Sequence, residues 1–136
     1  MILSTDGKQK KNQEMITSTN GKAIYLVIAD KIIDEILGGK LNPGDRIPSI
    51  RDYAAKVEVN HNTVSRAYDY LSDKGLIFNR RGIGYYIAED AVKIGSDIRS
   101  RELLGNELQK IFAQLKLLGV SPDELKEKYK DYLKRL

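Results

Sequence analysis

The run Asn60-His61-Asn62-Thr63, followed closely by Ser65 and Arg66, gathers side chains that are short and rich in donors and acceptors. That is the chemistry base edges ask for. An asparagine amide can pair bidentately with adenine, a guanidinium with guanine, and a threonine methyl can meet the methyl of thymine. Val64, Ala67, Tyr68 and Leu71 recur behind them at helical spacing. At 100° per residue those four fall on one side, Asn62, Ser65, Arg66 and Asp69 lie opposite, and Thr63 sits on the flank. Such a helix has one face for a core and one for a partner. An ordinary cap would account for Asn60 taken singly, so neighbouring segments must decide. Arg51 precedes the helix, and Arg80 and Arg81 follow it in "NRRGIG". Three separated segments can therefore offer cationic or polar groups to one surface, combining phosphate neutralisation with base-edge hydrogen bonding. Gly82 would let such a loop approach a sugar-phosphate backbone, besides serving as a turn residue. His61 could contact a base or phosphate, or simply stand exposed beside the cap.

Positioning these groups needs a scaffold. Ile24, Ile28, Ile32 and Ile36 recur every fourth residue, with Val27 and Ile33 beside them, and predict an amphipathic helix over 23–37 closed by Gly38-Gly39. Pro43-Gly44 marks a turn, and Ser49 after Pro48 is a good N-cap for a short helix over about 50–56. That helix offers Ile50, Tyr53, Ala54 and Val57 to a core. Asn60 caps the third helix, about 60–74, and Gly75 ends it. Leu76–Phe78 and Tyr85–Ala88 read as two strands joined by the glycine hairpin at 79–85. Three helices followed by a two-stranded hairpin is the layout of a winged helix-turn-helix.

Residues 89–98 read as a connector. From Arg101 a helical period returns in Leu104, Leu108, Ile111, Leu115 and Leu118 and stops at Gly119. "SPDE" then opens another helix, with Ser121 as N-cap, Pro122 at the first helical position and Glu124 completing a capping box. The expected organisation is an arm over 1–20, a winged unit over 21–90 and a helical region over 91–136. The fold class is mainly α with a small β wing, ending in a short two-helix region. Two amphipathic helices cannot cover both apolar stripes with so little else to pack on. A two-fold partner would bury Leu104, Leu108, Ile111 and Leu115, the alternative being a tail that packs back on its own winged unit.

Composition narrows the function. The chain has 136 residues, no cysteine, one histidine and a formal net charge of +4. Thiolate metal sites, disulfides and a Cys nucleophile are excluded, and a multi-histidine zinc site is impossible. No cofactor and no metal are expected. No carboxylate pair sits with a partner base in a recognisable motif, which argues against an enzyme. The basic excess permits an anionic partner without demanding one. No apolar run is long enough for a bilayer and the first fifteen residues lack a signal-peptide core, so no membrane role and a cytoplasmic location are expected.

The stretch "LNPGDRIPSIRDYAAKVEVNHNTVSRAYDYLSDKGLIFNRRGIGYYI" resembles the winged helix-turn-helix of GntR-family bacterial transcription regulators. The likeness spans about Ala23 to Ala88 and rests on a combination: Pro43-Gly44-Asp45, Pro48-Ser49 with Arg51, Asn62-Thr63-Val64, Gly75-Leu76-Ile77 and Arg81-Gly82-Ile83-Gly84. It implies a homodimer on a palindromic operator in double-stranded DNA. It also implies that Arg51, His61, Asn62, Thr63, Arg66 and Gly82 lie near that DNA. There are departures. Ser65 stands where an arginine often follows the Thr-Val pair, Glu58 fills a turn position often held by glycine, and Tyr85-Tyr86 replaces a common Thr-Phe. The short helical tail resembles the YtrA subfamily, in which the tail mainly dimerises, and this implies repression of transporter-type operons. A protein-interaction module that reuses the winged fold without DNA is the competing expectation.

Overall fold

The computed structural model of the chain describes residues 21–136; the arm expected over 1–20 lies outside them. Six α-helices and three short strands follow in the order α1 (Ile24–Leu37), β1 (Arg46–Ile47), α2 (Ile50–Val57), α3 (His61–Asp73), β2 (Ile77–Arg80), β3 (Gly84–Ile87), α4 (Ala91–Glu102), α5 (Leu108–Leu118) and α6 (Pro122–Lys134). A π-helical turn, Leu103–Glu107, stands between α4 and α5. The chain divides into two compact units, one ending at Ser96 and the other Asp97–Leu136.

The first unit is a winged helix-turn-helix. Its core is built from Ile28, Ile32, Ile33 and Ile36 of α1, from Tyr53 and Val57 of α2, and from Val64, Tyr68 and Leu71 of α3, all buried. The four-residue period places Ile28, Ile32 and Ile36 inside, whereas Ile24, at the first turn, is only half-buried. Gly39, at φ 83°, takes the left-handed conformation that closes α1; Gly38 remains right-handed.

Two expectations need correction. The sheet has three strands, in the antiparallel order β1-β3-β2, and not two. The added strand, Arg46–Ile47, is too short to show a two-residue period in sequence. It is held in place when the amide of Gly44 donates to Ile87 O at 2.8 Å and that of Ile87 to Asp45 O at 2.9 Å. The second correction concerns 89–98. It is not a connector, because α4 begins at Ala91, ten residues before the expected helix. Its buried residues are Ala91 and Gly95. A Cβ on Gly95 would lie 3.1 Å from Ile33 Cγ2. The helix docks through missing side chains, so it leaves no hydrophobic period to detect.

In the second unit, Ser121 Oγ accepts from the Glu124 amide at 3.1 Å with Pro122 opening α6, and Gly119 (φ 75°) closes α5. These are the boundaries the capping residues announce.

Candidate nucleic-acid interface

The helix-turn-helix starts from two caps. Ser49 Oγ accepts from the Asp52 amide at 3.1 Å and opens α2; Asn60 Oδ1 accepts from the Asn62 amide at 2.7 Å and opens α3. Between them Glu58 adopts a left-handed backbone (φ 58°, ψ 49°). This explains why a glycine would suit the position: a side chain there strains the backbone. The turn nonetheless closes, with the Val59 amide donating to Ala54 O at 3.1 Å.

Behind the exposed front of α3 the anchorage is tight. Val64, Ala67, Tyr68 and Leu71 are each 0% exposed. Tyr68 donates its hydroxyl to Pro48 O at 2.7 Å. Its ring meets Tyr53 and Tyr85 edge-on, with centroids 6.1 and 4.9 Å away. One side chain thus ties α3 to the start of α2 and to the sheet. Burial, reinforced by the neighbouring Tyr53 and Tyr85, pushes its phenol pKa upward.

All ten residues singled out for DNA contact stand in this unit. Arg51, Asn60, His61, Asn62, Arg66, Arg80, Arg81 and Gly82 are exposed, and Thr63 and Ser65 are half-buried on the flank of α3. They are not equivalent. The Asn60 oxygen is engaged by the cap. Arg66 lies over the ring of Tyr25, 4.2 Å from its centroid, and Tyr25 in turn meets Tyr70 edge-on at 6.5 Å. Arg80 lies 5.3 Å over Tyr86, which stacks on Phe78 at 5.9 Å. Arg80 ends β2, so its side chain shares a sheet face with Phe78 and Tyr86, two residues back and across the ladder. Arg51 and Arg81 make no hydrogen bond, ion pair or ring contact among the described residues. Of the four arginines singled out, Arg66 and Arg80 rest on rings and these two do not.

The wing turn is Arg81-Gly82-Ile83. It closes through the Ile83 amide on Arg80 O at 2.8 Å, with Gly82 at φ 76°. Two residues of this surface escape a sequence reading. Tyr25 holds Arg66, although its only signal is an aromatic ring off the α1 isoleucine stripe. Arg46 donates to the Ile83 carbonyl, although its only signal is an exposed-buried alternation with Ile47.

The model of bacterial regulatory proteins of the gntR family matches residues 24–87, which is this unit from α1 to the end of β3. The HTH-type transcriptional regulator YhcF of Bacillus subtilis is 36% identical over 113 residues, covering 83% of this chain and 92% of YhcF. The chain belongs to the GntR family. As a GntR-family member it is a DNA-binding transcription regulator, and the roles of its relatives are regulatory and not enzymatic. The HTH-type transcriptional repressor YtrA of Bacillus subtilis is 33% identical over 108 residues, covering 79% of this chain and 82% of YtrA. Among solved structures, a transcriptional regulator of the GntR family from Bacteroides thetaiotaomicron superposes with a TM-score of 0.69 at 42% identity, covering 83% of this chain and 98% of that one. The likeness to YhcF, YtrA and the Bacteroides protein extends past β3, so part of the helical tail belongs to the resemblance as well. No helix among the described residues is long and apolar enough to cross a membrane.

Proposed function

We propose that this GntR-family regulator is a cytoplasmic repressor that binds a palindromic operator as a homodimer. In this reading the front of α3 enters the major groove. Asn62, His61 and Thr63 meet base edges, with Ser65 and Arg66 one turn behind. Arg51 and the wing, through Arg81 and Gly82, grip the adjacent backbone. The observation that carries the reading is the division of α3 into a fully buried stripe and an exposed polar front. A helix so anchored can present short side chains to a groove without moving. Helix-turn-helix proteins read bases mainly from this first turn.

The homodimer reading rests on the second unit. No residue from Asp97 onward is buried, and Leu104 and Ile111 are 56% and 46% exposed. Leu108 and Leu115 are half-buried. Apolar helix faces this open mark an interface. A second copy would cover them and set two α3 helices about one DNA turn apart, roughly 34 Å. Repression follows the likeness to YtrA, whose length this chain largely covers.

The test is selection of bound duplexes from a random pool, followed by salt titration and light scattering. A palindromic consensus, a steep salt dependence and a dimer mass are expected. Asn62→Ala should relax base preference at one position, with a loss of about 1–3 kcal/mol, and Arg81→Ala should weaken all sequences alike. Absence of any selected duplex, with the protein folded, refutes the reading.

A further inference from the structure

We propose that Arg46 is a positioning residue for the wing: its guanidinium, anchored on the carbonyl of Ile83, fixes the Arg81–Ile83 turn in the conformation that meets DNA. That functional consequence rests on the proposed DNA contact of the wing; the anchoring itself does not.

The geometry begins with β1. Its two residues pair with β3 in the register Arg46↔Tyr86 and Ile47↔Tyr85. Alternation sends Ile47 into the core and Arg46 to the solvent side of the sheet. From there Arg46 Nη2 donates to Ile83 O, across 37 residues of sequence, and so joins the strand before the helix-turn-helix to the hairpin after it. Room for this contact exists because residue 84 is glycine. A Cβ built on Gly84 would lie 2.9 Å from Arg46 Nε and 3.1 Å from Nη2. The φ of Gly84, 146°, also suits glycine best. The second wing glycine therefore has a different task from Gly82. Gly82 turns the chain, and Gly84 makes space for an arginine.

The other wing arginines do not share this role. Arg80 is occupied by the ring of Tyr86, and Arg81 has no such contact among the described residues. A bond from a charged donor to a backbone carbonyl is stronger than one between neutral groups. Holding the Ile83 carbonyl restrains the Ile83–Gly84 peptide, which links the turn at Gly82 to Gly84, the second permissive point of the wing. Arg46 thus acts on DNA through the shape of the turn, whereas Arg81 acts through its own charge.

Two arms test this on the full chain. Backbone ¹⁵N relaxation without DNA is compared for the parent, Arg46→Ala and Arg46→Gln. The amides of Arg81, Gly82 and Ile83 should gain fast motion in both variants, while those of Tyr85 and α3 stay unchanged. In the second arm, the duplex selected by the parent is titrated. Arg46→Ala should weaken binding about tenfold, as expected for loss of one charged-donor hydrogen bond. In an Arg81→Ala background the same change should cost under about twofold, because coupled residues are not additive. An unaltered turn in both variants overturns the anchoring. A full additive loss with an ordered turn makes Arg46 a direct phosphate contact and also overturns it. A loosened turn with undiminished affinity overturns its bearing on DNA. If the turn loosens and the parent binds no duplex, the anchoring stands and the DNA reading falls.

Discussion

The two units of this chain use the same local chemistry to opposite ends. Both contain helices opened by a serine cap with a bond of the same length, 3.1 Å. In the first unit α1, α2 and α3 converge on a core in which Ile28, Val64, Tyr68 and Leu71 are fully buried. In the second, α5 and α6 bury no residue, and Leu117 and Leu118 are 85% and 76% exposed. Local signals therefore start and stop helices equally well in both, but only one unit closes its own apolar surface. The difference teaches that helix formation and self-sufficiency are separate properties. Tertiary packing supplies most of a helix's stability, and the second unit does not find it within its own residues.

The sharpest way to break this comparison is to damage each region and ask whether protein concentration matters. Leu71→Ala should destabilise the winged unit by about 2–5 kcal/mol, as large-to-small core changes do. Urea unfolding should show that loss at every protein concentration. Ile111→Glu should act differently, abolishing the proposed dimer instead of a core. Parent stability should rise with protein concentration by mass action, and the variant should lose that dependence and elute as a monomer with its winged unit intact. An Ile111→Glu chain that keeps the parent mass would return the second unit to the self-sufficient class.

Tyr68→Phe probes a smaller effect within the core. It leaves Pro48 O without its donor, at a cost of about 1–3 kcal/mol. It should also flatten the alkaline limb of stability. The Tyr68 pKa is raised in the folded state, so its contribution is fully present below the ordinary phenol pKa of about 10 and is lost as pH rises above that value. A melting profile from pH 8 to 11, run beside the parent, checks the sign. The smallest effects come from the caps. Ser49→Ala should cost the winged unit about 1 kcal/mol. Ser121→Ala should leave its unfolding midpoint unchanged and appear only in α6 amide exchange and in the dimer constant.

Much of the first unit is legible in the residues. Asn60 and Ser49 each accept the amide bond their positions suggest, as Ser121 does in the second unit. The stripes of α1 and α3 face inward as their periods require. Glu58 shows how a departure from the family pattern can be absorbed, since it takes the left-handed backbone that a glycine would take more easily. The candidate site is legible as a set of residues but not as a set of roles. Arg51, Arg66, Arg80 and Arg81 look alike in sequence, yet Tyr25 holds one of them and Tyr86 another. The first turns of α4 escape notice because small residues that dock closely carry no periodic signal.

The sequence by itself determined where α1, α2, α3 and α6 begin and end, which stripe of each is apolar, and that a glycine hairpin follows a helix with a polar front. These depend on neighbours within about one turn, through caps, periodicity and turn residues. The tertiary structure alone decided that Arg46 reaches the wing, that β1 joins the sheet, and which arginines rest on rings. Each of those depends on residues distant along the chain meeting in space, and no local rule encodes such a meeting.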